Sequence, residues 1–390
     1  MLTGKTVVIA VTGSIAAYKM ADCARELTKL HADVHVLMTQ NATQFINPIT
    51  FETLTQHKCL IDTFDRNFQY SVEHVALAKA ADVVLIAPAS ANVIGKIACG
   101  IADDMLTTTV MACTCKKLVA PAMNHNMLHN PIVQENIEKL RRYGYGIIEP
   151  ARGMLANRDI GDGKLPDVKI LIDRVLQEIA KPKDMAGVKL LVTGEPIDPV
   201  RFITNHSTGK MGAAIARAAS LRGADVTLVA GSCTAEMPPF AEIVNVRTAE
   251  DMYREVTARA PEQDIIVKAA AEAKHTAEDK IKKSDGEMAI PLRRTKDILK
   301  ALGENKRAGQ LICGFSMETR DLLENSSRKL KAKNCDMICA NSLRTEGAGF
   351  GTDTNVLTLI TADGTEELEK MSKLQAADMI LDRLMEMRGK

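Results

Sequence analysis

Residues 5–13 read KTVVIAVTG, followed by AAYKMADCARELTKLH over 16–31 and ADVHVLMT over 32–39. A short unbroken apolar run bounded by a small-residue turn fits a strand buried on both faces, and the next stretch repeats apolar residues at helical spacing. Strand, helix and strand at these lengths make a βαβ unit, whose strands lie parallel with a right-handed crossover. The pattern recurs in VKLLVTG over 188–194, MGAAIARAASLRG over 211–223 and ADVTLVAG over 224–231. Each half then adds an apolar run preceded by an acid, ADVVLIAPAS at 81–90 and QDIIVKAAA at 263–271. The fold class is therefore α/β, with two doubly wound Rossmann-like domains, 1–183 and 184–390. Each half closes on an amphipathic stretch, VKILIDRVLQEIA at 168–180 and KLQAADMILDRLMEMRGK at 373–390. Between them KPKDMAG, Lys181 to Gly187, has the composition of a linker.

Composition bounds the function. A chain of 390 residues is too long for one ordinary core and suits two. Aromatics make up 3% and Trp is missing, so Met, Ala, Val and Ile must fill the interior. A net charge of +1 gives no field to recruit nucleic acid or an anionic membrane, so neither is expected as a partner. The first apolar run is too short for a signal peptide or a membrane span. Nine irregularly spaced cysteines then fit reduced thiols in the cytoplasm. Cys113-x-Cys115 and Cys335/Cys339 read as small buried hydrophobes rather than metal ligands, and His125 and His129, one helical turn apart, have no apparent third ligand.

In open α/β sheets ligands sit where loops leave the carboxyl ends of the strands. Thr12-Gly13-Ser14-Ile15 is a small-residue turn opening a helix, which suits a phosphate or is simply a capped tight turn. It has one glycine where the dinucleotide fingerprint needs three, so a mononucleotide is favoured. Further polar loops follow at 38–43, 87–92, 100–108 and 121–127. Four loops converging on one sheet edge would form a pocket.

The motifs TGSIAAYK, PASAN, GIADDMLTTT, PAMNHNM and the upstream Glu73-His74-Val75 together resemble the flavin-containing cysteine decarboxylases over the whole first half. That resemblance implies a flavodoxin-like domain holding FMN on Gly13, Ser14, Ile15, Thr39, Ser90, Asn92 and Thr107. It implies that His74 is catalytic and that Asn124 holds the substrate carboxylate. The family's chemistry oxidises a cysteinyl thiol to a thioaldehyde, an electron sink for loss of carbon dioxide. Asn157, with Arg158 beside it, occupies the position of the family's lid cysteine, and an amide has neither the acidity nor the redox character of a thiol.

In the second half, 195–212 reads EPIDPVRFITNHSTGKMG. It is not a P-loop, because Met211 follows Lys210 and Thr204 stands where the first glycine belongs. The run resembles the phosphopantothenate–cysteine ligases, so the whole chain resembles the bifunctional decarboxylase/ligase family of coenzyme A biosynthesis. The resemblance implies that Asn205 stabilises an acyl-cytidylate, with Arg201 in the same substrate site. It implies that Lys280 of KIKK meets the triphosphate of CTP, with further nucleotide contacts at Lys268, Ala269, Ala270, Lys296, Asp297, Ile298, Leu299, Phe315, Lys329 and Lys333. Three phosphates and a carboxylate brought together require several cations, and Mg2+ is expected with CTP. Lys274 stands where the family has an acid, which leaves the metal ligand unassigned. The implied substrates are 4'-phosphopantothenate, cysteine and CTP, and the implied assembly is a homo-oligomer built from trimers and dimers. The altered loops also admit an enethiol-forming decarboxylase or a flavin-binding scaffold.

Overall fold

The computed structural model describes residues 1–64, 73–154, 160–194, 208–231, 235–269, 295–318, 322–342 and 352–389. Contacts divide the chain into two units, Met1–Lys181 and Pro182–Lys390.

In the first unit the strands β1 (Thr6–Val11), β2 (Asp33–Met38), β3 (Val83–Ala89), β4 (Lys116–Pro121) and β5 (Gly146–Ile147) form one parallel sheet in the order 2-1-3-4-5. This is the flavodoxin-like winding, with its switch point between β1 and β3. The helices are α1 (Lys19–Lys29), α2 (Pro48–Thr55), α3 (Glu73–Ala80), α4 (Ala91–Ala98), α5 (Met105–Ala112), α6 (His125–Leu128), α7 (Pro131–Arg142) and α8 (Val168–Ile179). They fall into two packed sets, α1 with α2 and α8, and α4 with α5 and α7, with α3 lying on α5. Alternate strand residues explain this: Val8, Ala10, Val84, Ile86 and Val119 share one core with Val93, Leu106 and Leu140, leaving Val7, Ile9 and Leu85, also fully buried, for the other face. An antiparallel hairpin, β6 (Ala151–Met154) and β7 (Ile160–Lys164), follows β5.

The second unit has a different strand order. Strands β8 (Lys189–Gly194), β9 (Asp225–Ala230), β10 (Glu242–Asn245), β11 (Ile265–Lys268), β12 (Leu311–Glu318) and β13 (Met337–Ser342) lie parallel in the order 10-9-8-11-12-13, the Rossmann order. Past β14 (Thr354–Asn355), β15 (Leu357–Thr361) and β16 (Thr365–Glu367) extend the sheet antiparallel, and β17 (Met371–Ser372) pairs back with β14. The helices are α9 (Lys210–Leu221), α10 (Ala249–Arg259), α11 (Ile298–Glu304), α12 (Leu322–Ala332) and α13 (Lys373–Arg388). Leu190, Val192, Ile265 and Val267 face a core with α9 and α13, whereas Leu191 and Ile266 face α10 and α11 on the opposite side. The apolar runs are continuous because both faces of the sheet are covered.

Part of the stretch read as a linker is docked. Met185 is fully buried in the second unit's core, and its N–H donates to Arg222 O at 3.0 Å. Arg222, 5% exposed, ion-pairs with Asp184 and, at 2.7 Å, with Asp382 of α13. Its guanidinium is raised above its usual pKa: burial opposes this, and the two carboxylates outweigh it. Composition alone misses this because one buried methionine and one shared arginine outweigh Lys, Pro and Gly.

Arg222→Ala is expected to destabilise the second unit by about 2 kcal/mol, since charge-assisted bonds are strong but both acids can re-enter water. Calorimetry should show a fall of roughly 4–8 °C in its melting temperature, with the first unit's transition unmoved.

Candidate functional site

The loops leaving β1, β2 and β3 are tied together through Thr12, Gly13 and Thr39, of which the sequence reading gave Thr12 no role of its own. Thr12 is fully buried, and its Oγ1 donates to Pro88 O at 2.6 Å while accepting from Ser90 N–H at 2.9 Å. One hydroxyl thus uses donor and acceptor to join two loops across the switch point. A Cβ on Gly13 would come 2.8 Å from Asn41 Cβ, so the β1 and β2 loops meet where only a glycine fits. Thr39 N–H donates to Val11 O at 3.0 Å, and its Oγ1 accepts from Ala42 N–H at 3.2 Å. The signal for Thr12 was present: Val-Thr-Gly recurs at 192–194, where Thr193 is again fully buried.

Around this junction Gly13, Ser14, Ile15, Thr39, Ser90 and Asn92 come together. Ser14 caps a short 3-10 helix, Ile15–Tyr18, and Ser90 caps α4, each accepting a backbone N–H at 3.4 Å. Two helix starts therefore open beside one another with neutral caps, an arrangement that favours an anion. Thr107 differs. It is 1% exposed, and its N–H and Oγ1 both donate to Asp104 Oδ1 at 2.7 Å in a capping box that starts α5. His74 is half-buried in the first turn of α3, the helix that lies on α5.

Asn124 follows β4 and caps α6, its Oδ1 accepting from Asn126 N–H at 2.9 Å. That bond fixes the amide, leaving both Nδ2 protons to point elsewhere. The preceding residue is held by the hairpin, since Met123 N–H donates to Gly163 O at 3.0 Å. Gly163 has φ +114°, and a Cβ there would overlap the carbonyl oxygen of Met123. The hairpin also corrects one reading: His125 and His129 do have a third neighbour. Asp162 N–H donates to His125 Nδ1 at 3.3 Å and its carboxylate lies 3.3 Å from His129 Nε2. The contact crosses from helix to hairpin, so no local spacing announces it. Asn157 and Arg158 lie outside the described residues.

In the second unit Lys268 ends β11, 8% exposed. Asp297 caps α11, accepting from Lys300 N–H at 2.8 Å, and ion-pairs with Lys333. Burial alone would raise the Asp297 carboxyl; bonds from Lys333 and the Lys300 amide, with the charges of Lys333 and Lys268, hold it below its usual range. Lys329 Nζ donates to Phe315 O at 2.7 Å, and Lys296 pairs with Glu250 at 2.7 Å. Ile298 and Leu299, 0% and 4% exposed, pack in the core of α11. Ala269 follows β11 directly. Arg201, Asn205, Ala270, Lys274 and Lys280 lie outside the described residues.

Cys339 is fully buried, as its apolar setting implied, with its sulfur 3.5 Å from that of Cys313 on the neighbouring strand.

A family model described as Flavoprotein matches residues 1–180, and one described as DNA/pantothenate metabolism flavoprotein C-terminal domain matches 185–387. A coenzyme A biosynthesis bifunctional protein CoaBC of Bacillus subtilis (strain 168) is 42% identical over 398 aligned residues, covering 98% of this chain and 97% of its own. Its counterpart in Mycobacterium tuberculosis (strain CDC 1551 / Oshkosh) is 40% identical over 407, covering 97% and 96%. Among solved structures, the C-terminal domain of a CoaBC protein is 37% identical with a TM-score of 0.42, covering 53% of this chain and 97% of that one. The FMN-dependent cysteine decarboxylase SpaF is 34% identical with a TM-score of 0.39, covering 45% and 99%.

Proposed function

Because the chain belongs to the family of coenzyme A biosynthesis bifunctional proteins, it carries a decarboxylase and a ligase on one polypeptide, and we infer that the ligase makes the decarboxylase's substrate. The ligase activates 4'-phosphopantothenate with CTP and joins it to cysteine; the first domain then decarboxylates the product to 4'-phosphopantetheine. The observation that carries the reading is the convergence of the β1, β2 and β3 loops at the switch point of a flavoprotein-family domain.

That junction fits FMN. Its donors are neutral hydroxyls and helix-start amides, suited to a phosphate, and Gly13 lets the β1 and β2 loops close up beside them. Bound there, FMN would supply two-electron oxidation of the cysteinyl thiol and later reduction of the decarboxylated product. His74 would take or hold the thiol proton. Asn124, its Oδ1 committed to α6, would offer Nδ2 to the carboxylate. An amide grips that group without a cation that would stabilise it against leaving.

In the ligase, Lys268, Lys296, Lys329 and Lys333 would contact the nucleotide, Lys268 on its cytidine side, with Mg2+ arriving on CTP. Two of these lysines are engaged by Glu250 and Asp297, anions that a nucleotide's phosphates would replace. Arg201, Asn205 and Lys280 take the roles their motifs imply. Every described cysteine is a free thiol, and no described helix is long and apolar enough to cross a membrane; both accord with the cytoplasm as the compartment. We also assign the chain to a homo-oligomer, which light scattering would test.

The test supplies the purified chain with CTP, Mg2+, cysteine and 4'-phosphopantothenate. Pyrophosphate, carbon dioxide and 4'-phosphopantetheine are the expected products. Asn205→Asp should spare pyrophosphate release more than amide formation. No pyrophosphate with any nucleotide would remove the ligase reading, and an enethiol accumulating in place of phosphopantetheine would confine the first domain to the oxidative half.

A further inference from the structure

The amino-terminal end of β2, away from the loops that leave the strands, gathers three chemically active side chains that the reaction does not use. Asp33 and His35 share one face of the strand, because alternate residues point the same way. The chain after α2 returns alongside: Leu60 N–H donates to Val36 O and Met38 N–H to Leu60 O, each at 3.0 Å. This brings His57 to the same place. Asp33 Oδ2 lies 3.2 Å from His35 Nε2, and Oδ1 lies 2.6 Å from His57 Nε2. The two rings stack with centroids 4.1 Å apart and planes 19° apart. Two imidazole nitrogens and a carboxylate thus face one another, with all three ligand atoms within 4.8 Å.

A pair of ordinary His–Asp hydrogen bonds, one to each carboxylate oxygen, is the simpler account of this arrangement, and metal titration separates the two. Stacked imidazoles repel if both are protonated. Neutral imidazole is the form that coordinates a transition metal. Tetrahedral ligands at zinc distances stand about 3.4 Å apart, close to the 3.2 Å between His35 and Asp33. A small outward rotation of His57 would complete the set. There is room for coordinated water, since a cavity of about 350 Å3 adjoins His35 and His57 and is walled by Lys58, Leu60 and, from α3, Ala76, Leu77 and Ala80.

We propose that Asp33, His35 and His57 form a binding site for one divalent transition-metal ion, with water completing the coordination. Two imidazoles and one carboxylate with open positions are a donor set for zinc(II) or iron(II), not for calcium or magnesium. The ion would cross-link the start of β2 to the segment that pairs with it, against the helix that carries His74. Its effect falls on the stability of the first domain rather than on the chemistry of either reaction.

Zn2+ is the probe, titrated calorimetrically into the full-length, flavin-loaded chain. The tightest equivalent should be lost, with at least tenfold weaker binding, in His35→Ala and in His57→Ala, and retained in His129→Ala, which removes the other two-histidine cluster. X-ray absorption of the zinc-loaded protein should show nitrogen and oxygen neighbours near 2.0–2.2 Å. Zinc should raise the first domain's melting temperature by several degrees in the unmodified chain and not in the two variants. Asp33→Asn and His57→Gln, matched for flavin content, repeat the comparison should an alanine variant fold poorly. Variants that titrate like the unmodified chain, or a sulfur shell near 2.3 Å, would overturn the assignment.

Discussion

With His74 replaced by alanine, decarboxylation is expected to fall by about 10²–10⁴-fold, while CTP-dependent pyrophosphate release is unchanged. An imidazole is the one side chain whose ordinary pKa lets it both hold and release a proton near neutrality. The fold should tolerate the change. Helix α3 is anchored through Leu77 and Ala78, 7% and 4% exposed, and His74 in its first turn is only half-buried. Flavin content should therefore stay at one per chain, which separates loss of chemistry from loss of the pocket. His74→Gln keeps a polar side chain without a titrating one and should remain slow across the pH range. A variant that releases carbon dioxide at the unmodified rate would take His74 out of the mechanism.

Gly163→Ala is expected to cost roughly 10²-fold in decarboxylation, the penalty typical of a displacement of about 1 Å near reacting groups. The residue has φ +114°, where any Cβ is strained, and here the Cβ would also overlap Met123 O. Hairpin and PAMN segment are held together by Met123 N–H to Gly163 O, so relief of the clash must separate them. Asn124 is the next residue, and its amide would lose its fixed direction. The loss should appear mainly in the carbon dioxide step, with flavin binding retained, since the atoms nearest that Cβ belong to Met123 and Asn124 rather than to the loops after β1, β2 or β3. Equal loss of flavin and activity would show instead that the hairpin supports the whole domain.

The parallel α/β character was legible because buried strands of Val, Ile and Leu and helices of period 3.6 are local signals. Strand order was not, because pairing between β1 and β3 joins residues far apart in sequence. The motif loops put Gly13, Ser14, Ser90 and Asn124 just after the carboxyl ends of strands, as the structure also has them. They could not reveal that Thr107 is spent on its own helix cap, since a capping box and a ligand loop use the same residue types. Asp162 and His57 were invisible for a shared reason: each acts through a partner tens of residues away. In the second unit the antiparallel β15–β16 extension escaped notice because a three-residue strand of Thr365, Glu366 and Glu367 carries no apolar pattern.

Those three exposed residues also bear on how the protein behaves when concentrated. An open sheet offers its outermost backbone to any other extended chain, and a long flat border invites runaway stacking. Here the described borders of the two large sheets are each blunted. β5 is two residues long, β10 four, and β16 presents two exposed carboxylates. β2 has its free side occupied by Leu60. Self-association through added strands is thereby disfavoured, so a crowded solution of this enzyme should stay free of fibrous aggregate, and whatever copies of it assemble must meet through side-chain surfaces.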